Sequence, residues 1–451
     1  MSGRKAYVLC RFARKSQLYL PWLDSLPVPV EIVGDFPASW PVPDDAAIVI
    51  SHMHYRWEDV QALRRVTEAG NIPVLVLADG ILEYRNIFEH PDLGDGSVFQ
   101  PLMGHKLACL GRGQVRAIES WGNIGKCESV GLPRLDGLLS QTPAPLRTDG
   151  EFRLLIATAS TPSFGERQRQ AVIESLQLIQ QRFEQNPLID GRPTRVEWRL
   201  TDGLERELGL PETNPDERPG LSVAIDSSDA VIVTPSTVFL ESILKGRPTA
   251  LLDFHNKPHF VPSAWMINAP KHLNSTLQEL ANPPAPKMLF QNSVLHDQLE
   301  CQSPATPRMV ELIARMIDAG ELARSRGRPL KLPHRILEDT SRGFSKVEPD
   351  FDLAALFPEN HYFRDADRAR LVSELNLAVS RLEGLPEENN RLLQQMDANA
   401  EHCDRLVARN DALLARNLDM RQRLKRLKTY LRKNDVDIGD EANRDDDEQE
   451  T

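Results

Sequence analysis

Cysteine is scarce and scattered in this chain. The five thiols, Cys10, Cys109, Cys127, Cys301 and Cys403, include no Cys-x-x-Cys and no Cys/His pair at metal-ligand spacing. That pattern argues against a disulfide framework or a zinc module, and reduced thiols in a cytoplasmic protein are expected. No apolar stretch approaches the length that spans a bilayer. The first residues hold only a very short apolar run before Arg11, which reads as a first strand rather than a signal peptide. Several catalytic signatures are missing too: Gly-x-x-x-x-Gly-Lys-Ser/Thr, Gly-x-Gly-x-x-Gly after the first strand, His-Glu-x-x-His and Gly-x-Ser-x-Gly. Their absence speaks against a Walker-type ATPase, an ordinary dinucleotide-binding dehydrogenase, a zincin and an α/β-hydrolase. There is little excess charge outside the C-terminus. Nine acids and one arginine between Asp435 and Thr451 carry −8 of the formal −11, so the rest is near −3 and no nucleic-acid surface is indicated.

With 451 residues, two or three domains are expected. Residues 1–145 alternate short apolar runs, at 6–10, 30–33, 46–50, 74–77, 106–110 and 127–130, with helix-like spacing over 57–69 and 114–121. Such alternation predicts a parallel sheet covered by helices, with ligands beyond the carboxyl ends of the strands. Those ends supply His52 and His54, then Asp79-Gly80, then Gly131-Leu-Pro-Arg-Leu-Asp136. A polar break over 141–150 separates a second α/β series at 151–325. It holds predicted strands at 152–157 and 195–200, a long helix at 166–183, a short one at 221–227 and a closing helix at 304–323.

The most informative α/β stretch is Ser227 to Asp253. Ala230-Val-Ile-Val233 predicts a buried strand, Thr234-Pro-Ser-Thr237 a turn, Val238 to Leu244 a helix stopped by Gly246, and Thr249-Ala-Leu-Leu252 a second buried strand. Hydroxyls at such a turn either cap the helix or, with its N–H groups and dipole, hold a phosphate. Ser160-Thr161 lies in a second hydroxyl-rich loop after a strand, and the two loops are candidates to converge on one anion.

From residue 365 the composition changes. Leu375, Leu382, Asn389, Met396, Cys403, Asn410, Asn417, Leu424 and Leu431 recur every seventh residue. Ala378, Leu385, Leu392, Asn399, Leu406, Leu413, Met420 and Leu427 interleave with them. This heptad predicts a coiled coil over 365–433, restarted at Pro386 so that 387–433 is its firm part. Asparagine in the first of these rows favours a parallel homodimer. The coil ends in Arg421-Gln-Arg-Leu-Lys-Arg-Leu-Lys-Thr-Tyr-Leu-Arg-Lys433, which either complements the helix dipole or draws the chain to an anionic membrane face. Residues 326–364 read as a connector and 434–451 as a disordered acidic tail.

Two tandem α/β domains with a phosphate-type loop in the second resemble a GT-B glycosyltransferase. The stretch from Ser228 to Pro248 looks like the donor motif of that superfamily, with a hydroxyl turn, a helix bearing Glu241 and then Gly246-Arg-Pro248. Gly131-Leu-Pro-Arg-Leu-Asp136 resembles an element of bacterial capsule and wall polymer transferases, including the CDP-glycerol glycerophosphotransferase type. The resemblance covers residues 5–325 in outline and leaves the coil outside it. It implies two Rossmann-like domains, an acceptor domain at 1–145 and a nucleotide-donor domain at 151–325. It further implies that Ser236 and Thr237 meet the donor diphosphate and that Glu241 accepts the ribose hydroxyls; Ser160 and Thr161 stand beside them as donor-site candidates by the position of their loop. Arg134 would neutralise phosphate at the cleft, and Arg199 is a weaker candidate for the same task.

Transfer with inversion needs a base. The relatives place a His-Gly pair where this chain has Asp79-Gly80, so the base is open between Asp79, His52 and His54, or Asp79 binds the acceptor. The activity implied is an inverting, metal-independent glycosyl- or glycerophosphotransferase of bacterial surface polysaccharide assembly. It would use a nucleotide-activated donor, no cofactor, and a glycan or lipid-linked acceptor. It would be cytoplasmic, with a peripheral contact at the inner membrane face. A nucleotide-sugar 2-epimerase shares the architecture, and a catalytically idle scaffold that recruits partners through its coil is the non-enzymatic alternative.

Overall fold

The computed structural model describes residues 3–11, 20–34, 36–52, 54–93, 97–143, 145, 147, 150–211, 218–255, 258–338, 340 and 366–433. The chain divides into two compact units, Met1–Leu356 and Phe357–Thr451.

The first unit contains two six-stranded sheets. In the first sheet the strands are β1 Lys5–Leu9, β2 Val30–Val33, β3 Ala46–Ser51, β4 Val74–Leu77, β5 Lys106–Cys109 and β6 Cys127–Ser129, in the order β2-β1-β3-β4-β5-β6. Every pairing is parallel. All six residues of β3 are buried, as a continuous apolar run covered on both faces requires. Successive side chains of β1 divide between two cores. Tyr7 and Leu9 pack with Ala62, Leu63 and Val66 of the helix Trp57–Glu68, whereas Ala6 and Val8 pack on the opposite face.

In the second sheet the strands are β7 Phe152–Ala157, β8 Leu188–Ile189, β9 Arg192–Arg199, β10 Ala230–Val233, β11 Thr249–Leu252 and β12 Trp265–Ile267, in the order β12-β11-β10-β7-β9-β8. Only the short β8 is antiparallel to its neighbour. Leu154 and Ile156 pack beneath Leu176 and Ile179 of the helix Glu166–Gln185. Leu155 and Ala157 face Phe239, Leu240 and Ile243 of the helix Val238–Leu244. These are two Rossmann-like halves in tandem, as expected. The edge strands β8 and β12, and the helices Leu273–Ala281 and Ala285–Gln298, are additions to the sequence reading.

The closing helix is a correction. The helix Ala305–Ser325 does not complete the second sheet but returns to the first. Its stripe of Met309, Leu312, Ile313, Met316 and Ile317 has helical spacing and covers Ala6, Val8, Ile48 and Ile50. Gly320 permits the approach, since a β-carbon there would stand 2.8 Å from Pro73 Cδ. The start of the expected connector follows it onto the first sheet. Ile336 and Leu337 are buried there, and their N–H groups donate to the Glu128 carboxylate at 2.9 and 3.2 Å.

The second unit is described as one helix, Ala366–Lys433, with Pro386 inside it. The expected restart at Pro386 does not occur: proline removes one backbone donor, and the turns on either side carry the helix through. The acidic tail and residues 341–365 lie outside the described residues.

Candidate functional site

β7 and β10 are parallel neighbours, so their loops emerge at one edge of the second sheet. Thr234 joins those loops. Its N–H donates to the Ala157 carbonyl at 3.1 Å, and its hydroxyl accepts the Ala159 N–H at 2.8 Å. Ser160-Thr161 and Ser236-Thr237 are thereby set side by side. The hydroxyls do not cap the following helix, because no side-chain capping bond is made at Thr237. The first turn closes on backbone instead, with the N–H groups of Phe239 and Leu240 donating to the carbonyls of Ser236 and Thr237 at 3.1 and 3.0 Å. Ser236 Oγ is buried without a hydrogen-bond partner. Gly246 ends this segment with φ of 72°, a left-handed position that suits glycine.

The opposite wall comes from the first sheet. His52 follows β3, and Ala78-Asp79-Gly80 follows β4. Gln114 supports the Gly80 loop from beneath. Its amide donates to the Gly80 carbonyl at 3.1 Å and accepts the Leu110 N–H at 2.7 Å. After β6, Arg134 reaches across to the second half, Nη1 to Glu241 Oε1 at 2.5 Å. Asp136, two residues on, turns away. Its two oxygens accept the N–H groups of Ala305 and Thr306 at 2.7 and 2.8 Å and so cap the helix Ala305–Ser325.

Between the walls lies a cleft of about 720 Å³. Among its lining residues are His52, His54, Asp79, Arg134, Ser160, Thr161, Ser236, Thr237 and Glu241, all named from sequence. Arg199 is not among them: its guanidinium donates to the Pro219 carbonyl at 2.7 Å. His54 lines the cleft but gives one ring nitrogen to the backbone, while its Nδ1 is buried without a partner. Its Nε2 accepts the Met103 N–H at 2.8 Å, and burial pushes its pKa down to about 4. A nitrogen whose lone pair is already bonded cannot collect a proton from an acceptor. His52 keeps some exposure. Burial lowers its pKa, and the charge of nearby Asp79 opposes that shift. Asp79 itself is exposed.

Sequence reading passed over Glu83 and Arg85, which follow Asp79-Gly80 closely and also line the cleft. Glu83 is 8% exposed. Burial pushes its carboxyl up to about 7, with Asp253 and Asp79 adding to the shift and Arg85 opposing it. Arg85 Nε holds Glu83 Oε2 at 2.7 Å, and Nη2 lies 3.4 Å from the Pro235 carbonyl in the hydroxyl turn. Its guanidinium stands 5.7 Å from the ring centroid of Phe164, in the other hydroxyl loop. Arg85 therefore touches both loops. A row of tilted rings lines the cleft, Tyr55 to His90 at 4.3 Å and His90 to Phe164 at 4.8 Å between centroids. Among the described residues, no group of three or more His, Cys, Asp or Glu side chains is arranged to hold a metal. No described helix is long and apolar enough to cross a membrane.

No family model and no curated protein matches the chain. Several solved structures resemble it in outline. A wall teichoic acid polymerase, TagF, soaked with CDPG, is 11% identical, with a TM-score of 0.41 over 69% of this chain and 88% of that one. The S. aureus MnaA–UDP structure is 9% identical, with a TM-score of 0.47 over 70% and 97%. Methanocaldococcus jannaschii UDP-GlcNAc 2-epimerase, in complex with UDP-GlcNAc and UDP, is 10% identical, with a TM-score of 0.45 over 69% and 100%. These are distant likenesses, and the reading of the site rests on its own geometry.

Proposed function

We propose that this chain is an inverting, metal-independent glycosyltransferase or glycerophosphotransferase that uses a nucleotide-activated donor in bacterial surface polysaccharide assembly. The observation that carries this reading is the meeting, in one cleft, of two hydroxyl loops with Arg134, Arg85 and Glu241. That set matches the parts of such a donor. Hydroxyls and guanidiniums suit a diphosphate, and a carboxylate suits a ribose diol. On binding, Glu241 exchanges Arg134 for the diol, and Arg134 turns to phosphate.

The base is the Asp79–His52 pair rather than His54. It takes the proton of an acceptor hydroxyl, whose oxygen bonds the donor carbon (or the phosphorus of a CDP-glycerol donor). The bond to the departing phosphate breaks, and its electron pair leaves on phosphate oxygen, where the guanidiniums stabilise it. The acceptor is a glycan or lipid-linked glycan. The enzyme is cytoplasmic, and the basic end of the long helix holds it at an anionic membrane face.

Nucleotide release from a panel of sugar nucleotides and CDP-glycerol, with and without lipid-linked acceptors, tests the proposal. One donor should be turned over, with loss of activity in Glu241→Ala. Absence of both turnover and binding of UDP, GDP, CDP and CMP compounds would sink it. An altered sugar nucleotide formed without acceptor would instead identify an epimerase.

A further inference from the structure

The helix Ala366–Lys433 carries an apolar seam that is exposed among the described residues. Leu392, Leu406, Leu413 and Leu427 in one row, and Met396 and Leu424 in the other, are each 47–67% exposed. Because the helix runs unbroken through Pro386, this seam continues into Leu375, Leu382 and Leu385, which are likewise exposed. Rows repeating every seven residues are the geometry of knobs-into-holes packing against another helix. The question is which helix.

Asn389, Asn399, Asn410 and Asn417 interrupt the seam at unequal intervals. An amide in an apolar layer is costly unless another polar group meets it there. We infer that the seam is covered by a second copy of this chain, parallel and in register. Only that arrangement sets each of the four asparagines opposite its own counterpart, and a foreign helix would have to repeat the same irregular pattern. In an antiparallel pair, the register that brings Glu374 and Glu388 beside Arg423 and Arg409 sets Asn389 against Leu406 and Asn410 against Leu385. The ion pairs gained are exposed and screened, so they contribute little, while the unpaired amides are a larger loss. In the parallel pair the aliphatic stem of Arg409 lies along Leu414 of the other copy. Like charges meet at two places, Arg416 with Arg421 and Arg423 with Lys428, both in the last third of the helix.

Cys403 lies in the same row as Met396 and is exposed, while Cys10, Cys109 and Cys127 are buried and Cys301 is partly buried. In the inferred pair Cys403 faces Cys403, which makes it a native reporter. The experiment uses the full chain at micromolar concentration, with sedimentation to give the mass and mild oxidation followed by non-reducing electrophoresis. The expected result is a mass of two chains and a disulfide-linked pair that disappears in Cys403→Ser. A mass of one chain overturns the inference, and a mass above two overturns the two-stranded reading. A two-chain mass without the Cys403 link overturns the parallel register. In that case the variant Leu392→Cys, with Cys403 retained, should gain a link, because position 392 faces Cys403 in the antiparallel register.

Discussion

Gly80 and Thr237 face each other across the cleft so closely that a β-carbon on the glycine would stand 2.7 Å from the threonine Oγ1. The loop after β4 and the turn after β10 thus interlock where a donor phosphate would lie. Gly80→Ala should force the two loops apart, at a cost of about 1–3 kcal/mol, the usual range for overpacking. Thr237→Ala removes the obstructing oxygen, so the double variant should recover most of the loss. Urea unfolding of the four proteins of that cycle checks the coupling. Additive effects would mean that the loops adjust independently.

Arg134 Nη1 donates to Glu241 Oε1 at 2.5 Å, with side chains 24% and 11% exposed, while Arg134 Nε is buried without a partner. A ribose diol must therefore compete with a guanidinium for the carboxylate. Hydrogen bonds to a charged group contribute about 1.5–3 kcal/mol, so loss of the diol should weaken binding roughly tenfold or more. We expect wild type to discriminate to that extent between the preferred nucleoside diphosphate and its 2′,3′-dideoxy analogue by calorimetry. Glu241→Ala should bind the two alike. Discrimination that survives in the variant would place the diol elsewhere.

Much of this cleft was legible in the sequence because it is made of strand ends, and strands buried on both faces announce themselves as unbroken apolar runs. Ala230–Val233 and Thr249–Leu252 are read directly, and so are the residues that follow them. The meaning of the hydroxyls was less legible. Ser236 looked equally like a cap, and only the backbone closure of the first turn removes that reading. The destination of Ala305–Ser325 was not legible at all, since an amphipathic stripe states that a helix packs but not on which sheet. Glu83 and Arg85 were missed because an acidic and a basic residue near a turn look like solvated surface until burial and the contacts to Pro235 and Phe164 are seen. His54 and Arg199 were over-read for the reverse reason. A side chain near a strand end can turn a polar atom to backbone, as His54 Nε2 does to Met103 and Arg199 Nη1 to Pro219.

Asp136 shows how a motif residue beside the cleft can serve the fold instead. Its carboxylate accepts the N–H groups of Ala305 and Thr306 and anchors the helix that ties the second half back to the first sheet. Asp136→Ala should lower stability by about 1–2 kcal/mol, the range for loss of a helix cap. Nucleotide affinity in the folded variant should stay within roughly twofold of wild type, since a factor of that size is only a few tenths of a kcal/mol. Denaturation and calorimetry on the same preparation check both halves. A collapse of affinity with stability retained would move Asp136 into the site.

Glu83 offers a test through pH. Its carboxyl is pushed up to about 7 in the fold against an ordinary 4.5, chiefly by burial. Between those values the folded chain holds a proton that the unfolded chain releases. Stability should therefore fall as pH rises through that window and stay level above it. Glu83→Gln keeps the shape without the ionisation, so the difference in unfolding free energy between wild type and variant should change by up to about 3 kcal/mol across the window. His54 and His105, lowered to about 4 by burial, act in the opposite sense, with stability lost as pH falls below the ordinary histidine range. Both are present in the two proteins and cancel in the difference. Urea titrations at pH 5, 6, 7 and 8 read that difference directly. A difference that stays constant with pH would mean that Glu83 remains ionised against Arg85 throughout, and Arg85 would then have to leave a charged partner to reach any phosphate bound at Ser236.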